Sequence, residues 1–416
     1  MIDHESRYFA LSGDIPVGGP TTWHIVDWDQ RRVVSVTMDG EQDDESLAIE
    51  HFSRYSDQLS PAIYRIHLSH TGEIIWTSTD PKNDTTCCVH YPSLHDAYLP
   101  EGVQTVQRDK LEELKRLGPD ADLVVMYYPF IKLTLELAVF KYYFLWQYAQ
   151  MSWKEMNLWM RLPHHPNIVP FDRVVVNEVE GRVVRFTSNY IPSRNLEQNK
   201  SRVFKLKWLQ QLIRVVDDLN LEYGIAHQDI APRNLLIDEP KDSIMLFDFN
   251  FAARISCPSP GEGESYFEDR NDVNGVIFTA YEIITQDDSL RSMPHEDQNL
   301  GNLGSKWTKH SEVKLDHPVE SYRLTLQEWR ERREGGSHPG NVPRPIVWPA
   351  MPKPPQKTIS LKTVQGQTTS VTVDSWYERR QDIRDRGDKV LNWERPPQRL
   401  IDNGIQVLST GEIING

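Results

Sequence analysis

The chain has 416 residues, a formal net charge of −14 and three cysteines. The length allows two or three domains, and the acidic balance excludes the broad basic footprint that non-specific nucleic-acid binding requires. Cys87, Cys88 and Cys257 show neither zinc-ligand spacing nor a disulfide framework.

Residues 1–105 read as a small α+β module. TWHIVDWD and RRVVSVTMD alternate as strands do. ESLAIEHFSRYSDQL has helical spacing, and AIYRIHLSHTGEIIWTST is a hairpin turning at His70-Thr71-Gly72. The histidines and aromatics here form no chemical constellation and read as packing and surface residues. The first residues lack a basic start followed by an apolar core, and no apolar run nears the ~20 residues of a membrane-spanning helix. The expectation is an intracellular protein, cytoplasmic or nuclear, with neither membrane nor nucleic acid as partner. Its oligomeric state stays open.

From Lys110 the texture changes. KLEELKRL reads as a short charged helix, DLVVMYY and KLTLELAVFKYY as strands, SWKEMNLWMRL as a helix, and RVVVNEVEGRVVRFTS as two more strands. RVFKLKWLQQLIRVVDDLNLEY places apolar residues three and four apart, an amphipathic helix that Gly224 stops. DVNGVIFTAYEIIT and SYRLTLQEWRERRE are further helices. Gly335-Gly336 opens a last segment, with six prolines between Pro343 and Pro355 that exclude helix and central strand. A hairpin around Gln365-Gly366, a charged helix in DSWYERRQDIRDRGDKVLNW and a loosely held tail from Pro396 complete the chain.

Chemistry concentrates in residues 227–250, HQDIAPRNLLIDEPKDSIMLFDFN. Asp229 and Asn234 lie five positions apart in a loop between the long helix and two short apolar strands, and Asp248 ends the second strand. A carboxylate that accepts a hydroxyl proton, an amide oxygen for one magnesium and a second carboxylate for another are what phosphoryl transfer asks of a protein. The spacing is that of a kinase catalytic loop, H-x-D-x-x-x-x-N.

This stretch resembles the protein kinase superfamily, and the resemblance extends over roughly residues 110–335. Upstream, AVFK ends on Lys141, which the resemblance makes the lysine holding the α- and β-phosphates of ATP. Fourteen residues on, Glu155 opens EMNLWMRLPHHPNIV, similar to the family's E-x-x-x-L-x-x-L-x-x-H-P-N-I-V with Trp159 for the first Leu, and implies a Lys141–Glu155 pair. In RLGPDADLVV, Gly118 and Val125 match the glycine-rich loop, while Asp120 and Leu123 replace its other glycines. Asp120 and Asp122 would repel a triphosphate unless they point away. SNYIP would be the hinge, with Ser188 as gatekeeper and the backbone of Asn189 and Ile191 meeting adenine. Downstream, Asp272 and Glu282 in DVNGVIFTAYE resemble the helix whose Asp braces the catalytic loop, with Ile277 where the family has Gly. His227 is likewise structural.

Two letters depart from the family. Gln228 replaces the arginine that grips an activation-loop phosphate. Asn250 replaces the glycine of D-F-G, and Asn best tolerates a left-handed backbone among the other residues. Arg233, four after Asp229, resembles the tyrosine-kinase arrangement and would reach the transferred phosphate, with a surface or capping role equally open. Asp248 and Asp272 are only 24 positions apart, with no A-P-E between them. Ser256, Ser259, Ser265 and Tyr266 there are candidate phosphorylation sites.

The resemblance implies an α+β, two-lobed protein-kinase-like fold with an added N-terminal module. Residues 1–105 form the accessory module, 106–335 the kinase-like domain (small lobe 106–190, large lobe 191–335), and 336–416 a Pro-rich extension. It implies ATP and Mg²⁺ as cofactors and transfer of the γ-phosphate to a serine or threonine of an unidentified protein. An aminoglycoside- or choline-type small-molecule kinase on the same fold, and an ATP-binding pseudokinase scaffold, stay open beside it.

Overall fold

The computed structural model describes residues 2–126, 136–255, 266–304, 306–335, 342–362 and 368–415. They form two compact units, neither contiguous in sequence. The first comprises residues 1–149, 173–187 and 352–416, the second residues 150–172 and 188–351.

The first unit holds two large sheets. One has five strands in chain order, Tyr8–Asp14, Thr21–Asp27, Arg32–Met38, Arg65–Leu68 and Ile74–Ser78. The third and fourth pair in parallel. A parallel pair needs a crossover, and the helix Ser46–Ser53 supplies it, packing Ala48 and Phe52 against Tyr8, Ile25, Val34, Val36, Ile66 and Leu68. The last two strands make the expected antiparallel hairpin.

The other sheet has eight strands, ordered Ile413–Asn415, Gln406–Leu408, Leu111–Gly118, Ala121–Met126, Leu137–Tyr142, Val183–Asn189, Phe171–Val176 and Gln104–Gln107. KLEELKRL is thus a strand and not the expected helix. Two of its charges point inward, Glu113 and Arg116 being buried while Lys115 is exposed. Arg395 donates to Glu113 at 2.6 and 3.0 Å, and Arg116 lies 3.2 Å from Asp122. The tail beyond Pro396 is not loose either, since Val407 and Leu408 pair with Glu113 and Glu112 and are buried. The hairpin strands Gln356–Lys362 and Thr368–Asp374 are present as expected, and its turn at Gln365-Gly366 lies outside the described residues.

The second unit is mainly helical. Its helices are Ala149–Trp159 (from Gln150 on), Leu206–Asp217, Asp272–Thr285 and Val319–Gly335. Leu209, Leu212, Ile213 and Val216 line the buried face of the second helix, as three-and-four spacing dictates. A π turn, Asp218–Glu222, carries it to Gly224, whose φ of 68° ends it. The Pro-rich stretch packs against this end. Arg344 and Ile346 donate backbone N–H groups to the carbonyls of Glu222 and Tyr223, and Arg254 stacks over Trp348 at 4.5 Å. No helix among the described residues is long and apolar enough to cross a membrane.

Candidate active site

Residues 225–250 run through the second unit as a strand, a loop, a single 3₁₀ turn and a hairpin. Ile225–Ala226 pairs with Ala253–Arg254, Pro232–Asn234 forms the turn, and Leu235–Asp238 pairs with Ser243–Leu246. Both hairpin strands are apolar and mostly buried. The loop before them and the residues after them are therefore anchored on core structure.

Asp229 is held from two sides. Arg233 donates to its Oδ1 at 2.5 Å and Asn234 Nδ2 to its Oδ2 at 2.7 Å. Asn234 Nδ2 also donates to the Asp229 carbonyl at 2.9 Å, so the amide oxygen of this buried side chain is turned away from Asp229. Arg233, its side chain 39% exposed, thus pairs with Asp229 four residues before it.

The loop is braced from below by the helix Asp272–Thr285. Asp272 is buried and accepts from the backbone N–H groups of His227 and Gln228, at 2.8 and 2.7 Å, and from Asn220 Nδ2 at 2.8 Å. Two turns on, Thr279 Oγ1 donates to the Ile230 carbonyl at 2.9 Å. Between them Gly275 faces Ile230 so closely that a Cβ would lie 3.0 Å from that of Ile230. The sequence singled out Asp272 alone. The period linking residues 272, 275 and 279 on one helix face was the available signal for the other two.

His227 is buried, its Nε2 3.1 Å from the Phe247 carbonyl and its ring 4.9 Å from that of Phe249. Phe249 also meets Trp159 at 5.2 Å. The large ring that replaces leucine therefore reaches Phe249. The left-handed conformation expected of Asn250 occurs instead at Asp248, with φ 70°, and at Gln228, with φ 61°. Asp248 is half-buried.

Gln228 does more than fill the place of an arginine. Its Nε2 donates to the Phe251 carbonyl at 2.8 Å, and its Oε1 accepts from the Phe267 N–H at 2.6 Å. One neutral side chain therefore ties together the two ends of the segment after Asp248. Cys257, Ser256, Ser259 and Ser265 lie outside the described residues, while Tyr266 donates to Glu268 at 2.8 Å. Beside Asp229 and Arg233 lies a recess of about 250 Å³, also bordered by Arg270, Tyr281, Arg291 and His295.

In the second unit, Glu155 is fully buried on its helix. Ser188 is buried, the Asn189 N–H donates to the Pro170 carbonyl at 3.0 Å, and the Ile191 carbonyl accepts from Ser193 at 2.7 Å. In the first unit, Lys141 lies half-buried on the strand Leu137–Tyr142. RLGPDADLVV is a tight antiparallel hairpin in which Gly118 pairs with Ala121 and Val125 is buried. Neither aspartate of this hairpin is unengaged. Arg185 binds Asp120 at 2.8 Å, and Asp122 is buried between Arg116 and Arg31. Burial pushes the Asp122 carboxyl up to about 6 despite those two arginines.

Among the described residues no three His, Cys, Asp or Glu side chains gather as a metal site. A cation at this loop would rest on few protein ligands, as magnesium does when phosphates supply the rest.

No family model matches the chain. It is similar to the serine/threonine-protein kinase CHK1 of Saccharomyces cerevisiae, 28% identical over 156 residues, 29% of either chain. It is 34% identical to CBL-interacting serine/threonine-protein kinase 15 of Arabidopsis thaliana over 100 residues, 23% of this chain and 22% of the relative. It is 32% identical to the serine/threonine-protein kinase VHS1 of S. cerevisiae over 126 residues, 28% and 26% of the two chains. The chain thus spans less than a third of the length of each of these curated relatives. Several serine/threonine protein kinases, each matching 23–29% of the chain, establish a relationship to the protein kinase superfamily.

Proposed function

We propose that the chain is an ATP- and magnesium-dependent phosphotransferase that moves the γ-phosphate to a serine or threonine hydroxyl of a protein. The observation that carries this reading is the geometry of Asp229, fixed by Arg233 and Asn234 on a loop whose backbone is tied to buried Asp272. A binding module gains nothing from holding a carboxylate this way, whereas a group that orients an attacking hydroxyl depends on it.

In this reading Asp229 orients the acceptor hydroxyl and takes its proton, and Arg233 faces the phosphate in transit. Asn234 and Asp248 supply hard oxygen ligands suited to magnesium. Magnesium, when bound, would neutralise charge on the phosphates. Lys141 would hold the α- and β-phosphates and Glu155 would pair with it. Gly118 and Val125 would flank the nucleotide, and Asn189 and Ile191 would meet the adenine. The engagement of Asp120 and Asp122 with arginines supports the hairpin tolerating phosphates, because neither carboxylate is left to repel them.

A protein acceptor is preferred over a metabolite because the recess beside Asp229, about 250 Å³, is below the size of ordinary small-molecule sites. It suits one side chain of a larger substrate.

The test is transfer of the terminal phosphate from ATP with magnesium to a protein mixture and to the chain itself. Asp229→Ala and Lys141→Met are each expected to lower transfer by at least ~10³-fold, with melting temperatures close to wild type. Full activity in Lys141→Met would sink the assignment. ATP binding with no transfer to any protein or metabolite would favour the pseudokinase scaffold.

A further inference from the structure

A recess of the first unit is lined by none of residues 227–250 and has no part in the phosphotransfer reading. Its volume is about 630 Å³, within the usual range of small-molecule sites. Three stretches distant in sequence build it: the first sheet with residues 82–91, residues 144–147, and residues 377–394.

One part of its wall is basic and hydroxylic. Arg65 donates to the hydroxyls of Thr37 and Thr22, at 2.9 and 3.1 Å, and lies 5.9 Å from the Trp76 ring. Lys82 and Arg379 stand at the exposed rim. Among the described residues no carboxylate lies within ion-pair distance of Arg65, Lys82 or Arg379. Of the three acidic side chains on the wall, Asp84 and Glu394 are engaged by Arg380, at 2.6 and 2.5 Å, and Asp14, largely exposed, lies 3.7 Å from His24. Ser35 and Thr85 add hydroxyls 3.2 Å apart. Positive charge therefore gathers here without a carboxylate in ion-pair contact with Arg65, Lys82 or Arg379 among the described residues.

The rest of the wall is aromatic. Trp146 and Tyr377 stack with centroids 5.7 Å apart and planes inclined by 25°, and both are more than a third exposed. Behind them the Tyr91, Phe144 and Trp393 rings meet. Trp393 Nε1 and Thr86 Oγ1, also on this wall, are buried without a hydrogen-bond partner among the described residues. Buried polar atoms are nearly always paired, so this wall is left polar beyond what packing requires.

Cations without counter-ions recognise phosphate, and stacked rings at a rim recognise another flat ring. We propose that this recess binds a small phosphorylated molecule carrying an aromatic or heteroaromatic ring, its phosphate held by Arg65, Lys82 and Arg379 and its ring against Trp146 and Tyr377.

The test uses the full chain and isothermal titration with two probes, phenyl phosphate and uridine 5′-monophosphate, without magnesium. Saturable binding of at least one probe is expected, weakening as salt is raised. Lys82→Glu combined with Arg379→Glu is expected to weaken it at least ~10-fold, since each charge-assisted contact contributes more than a kilocalorie. Both side chains are exposed, so the double variant keeps the fold. Tyr377→Ala should weaken the nucleotide, with inorganic phosphate as the control that does not respond. Lys141→Met, which removes the group proposed to hold the ATP phosphates, should bind both probes as wild type does, which separates this site from the phosphotransfer site. No saturable binding of either probe, or binding unchanged in the double variant, would overturn the proposal.

Discussion

Single residues here carry more than their sequence context suggests. Gln228 is the clearest case. In sequence it is a lost arginine, and a charged grip on a phosphate goes with it. In the structure its amide donates to one end of the segment 251–267 and accepts at the other. An amide can do both where a guanidinium can only donate. A neutral tether needs no modification to engage. We expect Gln228→Met to lower kcat about tenfold with little change in the KM for ATP, and to speed proteolysis between residues 251 and 267. Unchanged kcat with unchanged proteolysis would remove this role. Asp316 gives a pH test at the same scale. Burial works against its charged form but is outweighed by His317, by the Tyr322 hydroxyl at 2.6 Å and by the Leu206 N–H at 2.9 Å, which together hold the carboxyl at about 2, below the ordinary 3.8. A depressed carboxyl stabilises the fold above its unfolded value, and that stability drains away as pH falls through the folded one. Asp316→Asn should therefore cost about 1–2 kcal/mol at pH 7. Its deficit relative to wild type should narrow between about pH 4 and pH 2 in chemical denaturation.

At the scale of elements, the helix Asp272–Thr285 acts as a cradle for the loop bearing Asp229 through one face. Gly275 permits the approach that Asp272 and Thr279 then fix. Gly275→Ala would place a methyl group at 3.0 Å from Ile230 Cβ and should cost about 1–3 kcal/mol, measured by thermal or denaturant unfolding. Phosphotransfer should fall more steeply than stability, because the displaced atoms belong to the loop bearing Asp229. These elements also show what was legible beforehand. The helices at residues 206–217 and 272–285 and the two short strands between residues 235 and 246 follow from period and apolar runs, the loop carrying Asp229 and Asn234 from their spacing, and the bracing by Asp272 only from the family resemblance. KLEELKRL did not, because local charge pattern says helix while the strand it forms buries Glu113 and Arg116 against Arg395 and Asp122. A partner 282 positions away leaves no mark on a local window. The recess of the first unit was illegible for the same reason: its cations sit at residues 65, 82 and 379, each unremarkable alone.

At the scale of the whole molecule, the first unit is closed by the end of the chain. Arg395 is buried, bridging Glu113 and Asp29, and the strand Gln406–Leu408 covers the edge of Leu111–Gly118. Removing one partner of a buried pair leaves an uncompensated charge that costs about 3–5 kcal/mol. Arg395→Ala should lower stability by that order in equilibrium unfolding, and a chain ending at residue 351 should aggregate on expression. A soluble, cooperatively melting truncation would show that the tail is dispensable.

The separation of Glu113 from Arg395 also orders events in time. On a ribosome the N-terminal strands emerge hundreds of residues before the arginine that neutralises the carboxylate beneath them. Until then Glu113 has Arg31, at 3.5 Å, but lacks the two hydrogen bonds from Arg395, and the eight-stranded sheet lacks its protecting edge. Contacts of such long range slow folding and prolong the exposure of unpaired strands. The first unit is thus begun first and finished last. Its nascent form is the state that chaperones would meet, and substitutions at Arg395 would reduce yield in the cell as well as the stability of the folded protein.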